Sequence, residues 1–260
     1  MPLPSSFPRA FTALAVLALS SSAVLAQDAG PPVTPYRPSV SSPAQLPAPG
    51  QLELELGGLR NKAGDSRRDS LPWLAKLALS DEWGVLLGGE ARVVSREAGV
   101  RDSGVGDTLL VLKRAWAASG DTRAGGIEFG VKLPTANDAI GSGKADYTLN
   151  FIESLELGSV HNDINLNLTR LGVAEPGSSR TQLGLSAAFS MPLAEQWGAT
   201  AELSGTHRSG VPNTAQLLGA VTFSPSKRLT FDLGAARGLR PSPHGTSFFA
   251  GVVFPITQLW

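Results

Sequence analysis

Gly141-Ser142-Gly143-Lys144 is the stretch of this 260-residue chain that most invites a chemical reading, because a glycine-rich loop ending in lysine can cradle phosphate. Such a loop needs a glycine five positions before the Gly-Lys pair, a Ser or Thr after the lysine, and a helix opening behind it. Asp138 and Ala145 occupy those two positions, and Tyr147, Leu149 and Phe151 then alternate with Thr148, Asn150 and Ile152, which is a strand pattern. A nucleotide site is therefore not expected. His207 and Ser209 have the order of a base and a nucleophile, yet no Glu, Asp or Asn lies between Thr214 and Ser226 to orient the imidazole. His161, His207 and His244 are scattered without metal-ligand spacing, and the chain has no cysteine. Neither a metal, a cofactor nor an enzymatic step is implied.

What remains is charge on strands. Glu53, Glu55, Lys76, Glu90, Arg92, Asp107, Lys113, Glu128, Lys132, Glu202 and Asp232 each alternate with apolar neighbours, so they share the polar faces of successive strands. Two readings follow. The charges form a cross-strand ion-pair lattice that braces the fold, or some of them set the selectivity of a narrow watery path.

The elements that position these charges are strands of period two. Leu52, Leu54 and Leu56 alternate with Glu53 and Glu55, and Ile127, Phe129, Val131 and Leu133 alternate with Glu128 and Lys132. Repeats of this scheme over 51–260 predict roughly twelve strands of about ten residues. Connections alternate between short (81–82, 119–121, around His161, 194–195, 225–226) and longer (59–70, 95–106, 134–144, 172–180, 238–245), the rim asymmetry of outer-membrane barrels. Trp83, Trp116, Trp197 and Trp260 fall at the short-turn rim and Trp73 at the other, where an indole suits the lipid headgroup level. The final strand carries Phe248, Ala250, Val252, Phe254 and Ile256 on one face and ends on Trp260. The expectation is an all-β fold, a single antiparallel transmembrane barrel with apolar residues toward lipid and charges toward the lumen. Glu153 breaks that parity, and a bulge between Phe151 and Leu155 is expected to relieve it.

The termini bear on compartment. Arg9, the apolar run from Phe11 to Leu19 and small residues up to Ala26 have the order of a secretory signal cleaved after Ala26. Residues 27–50 are rich in Pro, Ala and Ser, and they read as a flexible periplasmic leader outside the fold. The 22 basic and 22 acidic residues cancel, which argues against a nucleic-acid partner.

Gly104-Val105-Gly106-Asp107, Leu109 to Lys113, Lys132-Leu133-Pro134-Thr135 and Gly141-Ser142-Gly143 with Asp146-Tyr147, in that order, resemble the phenol-degradation meta-pathway family. Those proteins are outer-membrane barrels described as transporters, and the resemblance covers about residues 107–171. It implies a channel for small, hydrophobic or aromatic molecules in the outer membrane of a Gram-negative bacterium. The terminal strand ending at Trp260 resembles the signal read by the barrel assembly machinery. Thr135, Asp138, Gly141, Gly143, Lys144 and Asp146 become a pore-mouth loop, with Lys144 pairing Asp138 or Asp146. A structural or adhesive barrel is the alternative. A lipid hydrolase is a remote one, since His207-x-Ser209 resembles the pair some outer-membrane hydrolases carry.

Overall fold

The computed structural model describes residues 29–117, 122–241 and 244–260. The expected signal sequence with its cleavage at Ala26, and the turn at 119–121, lie outside the described residues. The strands are β1 (Gln51–Ala63), β2 (Ser66–Ala78), β3 (Trp83–Glu97), β4 (Val100–Gly104), β5 (Thr108–Ala117), β6 (Arg123–Leu133) and β7 (Asp146–Leu157). They continue as β8 (Val160–Arg170), β9 (Thr181–Ala194), β10 (Trp197–His207), β11 (Thr214–Ser226), β12 (Leu229–Arg240) and β13 (Thr246–Gln258). Each pairs antiparallel with its neighbours, and β1 also pairs with β13, so the sheet closes. Because β4 and β5 lie one after the other along β3, the wall has 12 strands.

Period two decides which residues face out. Phe129, Phe151, Leu166, Leu185, Leu203, Leu233 and Phe248 all point away from the lumen and stay exposed. An apolar belt of this extent around a whole molecule is tolerated in lipid and not in water. Trp83, Trp116 and Trp197 stand at strand ends on the short-turn rim, as the sequence predicts.

Three expectations need correction. First, 59–70 and 95–106 are not loops. β1 and β2 run on to a two-residue turn at Gly64, and β3 turns tightly at Ala98 and Gly99, both with positive φ (48° and 83°). These extensions escape an apolar-alternation reading because they are polar on both faces; Asp69 there receives Arg60 at 2.6 Å and Arg67 at 2.5 Å. Trp73 consequently lies mid-strand rather than at a rim. Second, a bulge does reset the phase, but between β2 and β3, at Ser70/Pro72. It turns Val93 inward opposite buried Ser70 and leaves Arg92 exposed on the other face, so Arg92 is not a lumen residue. Third, the β6–β7 and β7–β8 ladders run unbroken past Glu153. That carboxylate points outward and is relieved instead by Arg123, whose Nε donates to it at 2.9 Å near the short-turn rim.

Candidate functional site

The largest departure from the sequence reading is the leader. Residues 31–49 are not a flexible appendage; they form a hairpin inside the lumen, within the same compact unit as the barrel. It starts beside the β11–β12 turn, where the Val33 amide donates to Lys227 O at 2.9 Å, reaches its tip near Val40, and returns to Pro49 beside Ala78. Prolines make this possible. Pro31, Pro32, Pro35, Pro38, Pro43, Pro47 and Pro49 have no N–H to satisfy, and they restrict the unfolded chain, so less entropy is lost on ordering.

Six of the remaining amides find acceptors on the wall, where buried backbone groups need partners. Thr34 N donates to Glu53 at 3.0 Å and Tyr36 N to Glu55 at 2.8 Å. Val40 N and Ser41 N donate to Glu202 Oε2 at 2.7 and 2.9 Å. Ser42 and Asn165 exchange two hydrogen bonds, both 2.8 Å, and Ala44 N donates to Ser154 Oγ at 2.8 Å. Arg37 reaches across to Asp232 with Nε at 2.8 Å and Nη2 at 3.0 Å. It passes over Gly57 and Gly251, where a Cβ on either residue would run into the guanidinium.

Five of the eleven sequence-predicted lumen charges gather around Tyr36. Lys76 Nζ lies 2.6 Å from Glu55 and 3.0 Å from Glu53, and Lys113 Nζ lies 2.9 Å from Glu128 and 2.6 Å from Pro43 O. Both ammonium groups stand over the Tyr36 ring, 4.3 and 4.1 Å from its centroid, a favourable cation–π geometry. Lys132, nearer the long-loop rim, joins Asp107 at 3.1 Å and Asp146 at 3.0 Å, and Glu90 takes Arg68 Nη2 at 2.6 Å.

Lys132 also does what the sequence assigned to Lys144. It donates to Ser142 Oγ at 2.9 Å, while Asp107 accepts Ala136 N at 3.0 Å and Asp146 accepts Gly172 N at 2.8 Å, so one cation ties three loops. Lys144 and Asp138 make no ion pair among the described residues. Thr135 Oγ1 accepts Thr108 N at 2.8 Å, Gly141 packs tightly against Ala136 and Asp107, and Gly143 has φ 65°. His207 bonds Asn213 at 2.8 Å, and no hydrogen bond joins it to Ser209 Oγ among the described residues.

Two cavities flank the hairpin along the β8–β12 wall. One, of about 640 Å³, opens on the short-turn side and is lined by Thr200, Ser190, Thr222 and Thr230 among others. The second, of about 650 Å³, lies on the long-loop side against Ser186, Ser204, Gln216, Asn167 and the hairpin tip Val40, which is 59 % exposed. A smaller one, of about 280 Å³, sits beside Tyr36 against Leu74, Leu86, Leu109 and Val111. Thus the lumen is filled on one side and holds two separate cavities on the other.

The sequence matches no protein-family model and no curated protein. Its fold is similar to that of the COG4313 outer membrane channel from Pseudomonas putida F1, with 14% identity and a TM-score of 0.65 over 86% of this chain and 100% of that one. A KdgM porin in complex with disordered oligogalacturonate gives 11% identity and a TM-score of 0.55 over 79% and 99%. The translocator domain of the autotransporter NalP from Neisseria meningitidis gives 9% and 0.52 over 78% and 88%. At these identities the likeness is one of fold, that of an outer-membrane barrel.

Proposed function

We propose that the chain is an outer-membrane channel that passes small molecules along the β8–β12 side of its lumen. The observation that carries this reading is the pair of cavities, one on each side of the hairpin, lined by hydroxyls, amides and small residues. In this reading the short-turn rim and the base of the hairpin face the periplasm of a Gram-negative cell, and β13 with Trp260 is the strand recognised by the barrel assembly machinery. The finer assignment is a channel of the phenol-degradation meta-pathway kind, for small hydrophobic or aromatic molecules.

Apolar surface inside the barrel supports that substrate class. Leu74, Leu86 and Val111 pack with Tyr36, and Leu218, Ala220, Ala236 and Phe249 form a second cluster with Leu59. A porin for hydrophilic solutes keeps its interior polar. The two structural relatives named as a channel and a porin fit this reading in fold.

The test is flux through purified protein in planar bilayers and in proteoliposomes loaded against a monoaromatic such as phenol. Single-channel conductance with accelerated phenol entry supports the proposal. Closed bilayers and unchanged entry would sink it in favour of a structural or adhesive barrel.

A further inference from the structure

Charges on the outer face of the long-loop rim are arranged unlike those in the lumen. On β1, Leu59 packs against the lumen cluster of Leu218 and Phe249, so its neighbour Arg60 and then Lys62 face outward. The ladders extend that face into a row. Lys62 stands opposite Arg67, Arg67 opposite Arg96, and Arg96 opposite Arg101. On its other side Lys62 stands opposite Thr246, whose hydroxyl accepts Arg237 Nη1 at 2.6 Å. Side chains directly opposite lie about 5 Å apart, where like charges are destabilising. Here three like-charge pairs follow one another across β1 to β4, a span of about 14 Å.

The described residues do not offset these pairs. Asp69 is the strand carboxylate on this face, and it already takes Arg60 and Arg67. Asp65 and Glu97, in or beside the turns, make no ion pair among the described residues, and neither do the exposed Lys62, Arg96 and Arg101. Acids are not scarce, since 22 balance the 22 basic residues, and Lys76, Lys113 and Lys132 in the lumen each meet at least one carboxylate. Elsewhere on the same rim, β6, β7 and β9 end outward on the exposed Leu133, Tyr147 and Leu183. The excess of positive charge is local.

Its height points to the partner. Phe248 is the last outward apolar side chain on β13, and Thr246 lies two residues beyond it, so the row begins about 7 Å past the apolar belt. That is the level of lipid headgroups, whose anion is phosphate, and guanidinium groups bind phosphate bidentately. Four adjacent cations suit a headgroup with several phosphates better than one with a single phosphate.

We propose that the outward row of Lys62, Arg67, Arg96 and Arg101 binds the phosphorylated headgroup of lipopolysaccharide in the outer leaflet. The proposal takes from the reading above only that the long-loop rim faces out of the cell; closed bilayers would sink the channel and leave this surface standing. Arg96→Gln/Arg101→Gln is the decisive variant, because neither side chain has a protein partner to lose among the described residues. Heat-dependent gel mobility checks its folding, and in lipid-free detergent its unfolding midpoint should equal or exceed that of the wild type. Native mass spectrometry of the detergent-solubilised barrel, titrated with deep-rough lipopolysaccharide, should show saturable binding that weakens on the order of 20-fold in the variant. Arg96→Lys/Arg101→Lys, which keeps the charge, should recover most of that loss. Phosphatidylglycerol or inorganic phosphate at the same concentration should leave the wild-type complex in place. A wild type that takes up no lipopolysaccharide, a glutamine variant that binds as tightly, or displacement by either competitor overturns the proposal.

Discussion

On the β1–β2–β5–β6 side the hairpin meets Lys76, Lys113, Glu53, Glu55 and Glu128, all buried and mutually paired around Tyr36. Toward β8–β12 it meets mostly hydroxyls, amides and small residues, with Asp232 paired to Arg37 and Glu202 left without a cation. The first arrangement fixes a segment in place, because removing any member strands a charge in a poorly hydrated interior. The second leaves volume and makes weaker, separable contacts, which is what the proposed path requires. One lumen thus combines a bracing lattice of charges on one side with the cavities of the proposed path on the other.

The largest effect should come from breaking the fixed side. Lys113→Met leaves Glu128 without its ammonium and removes the donor to Pro43 O, and it should cost about 3–5 kcal/mol. Urea titration of the barrel in phospholipid vesicles, read by heat-modifiable gel mobility, measures it. The double variant Lys113→Met/Glu128→Gln should recover a large part of the loss. A double variant no better than the single would show that packing against Tyr36, and not charge, holds this side.

Asp232→Asn comes next, since Arg37 would keep a hydrogen bond but lose its counter-charge, at about 1–3 kcal/mol. Its expected signature is local: amide exchange at Val40 and Ser41 rises while exchange in β1 stays unchanged. Uniform acceleration across both would mean that the hairpin and the wall open together. The Ser41 Oγ to Ser186 Oγ contact at 2.8 Å belongs to the cavity-lined side, and Ser186→Ala should cost no more than about 1 kcal/mol. A cost equal to that of Lys113→Met would erase the distinction between the two sides.

How far the sequence alone reaches follows the same division. Strand periodicity places Glu53, Glu55, Lys76, Lys113, Glu128, Lys132, Glu202 and Asp232 inside, because alternate residues on a strand must face opposite ways. Arg92 fails because a bulge is set by ladder register, which one strand's pattern does not contain. The hairpin fails for another reason. Composition marks 27–50 as unable to build its own core, but a segment without a core can still order inside a cavity that supplies acceptors, as 31–49 do. The signal was there in a weak form: Tyr36 and Arg37 are large, specific side chains amid prolines and small residues, and Glu53, Glu55, Glu202 and Asp232 outnumber the cations sequence parity places nearest them.

The smallest expected effect lies outside the membrane, where loop 171–180 meets the β10–β11 loop. Arg208 Nη1 lies 2.7 Å from Glu175, and hydrogen bonds from Arg208 and then from its own backbone and Ser178 pull the Glu175 carboxyl down to about 2. A carboxyl whose pKa is depressed on folding contributes stability above its unfolded value and loses it as pH falls through the folded one. The tie should therefore persist from pH 7 to pH 4 and fail only as pH approaches about 2. Glu175 is fully exposed, so solvent screens the pair and the global unfolding midpoint should barely move. The readout is local, as amide exchange at Ser178 and Ser179 corrected for the intrinsic pH dependence. It should stay flat between pH 7 and pH 4 in the wild type and be faster throughout in Glu175→Gln. Acceleration already at pH 5 in the wild type would mean that Arg208 does not hold this carboxylate in solution. The long-loop rim would then be looser than the paired interior beneath it.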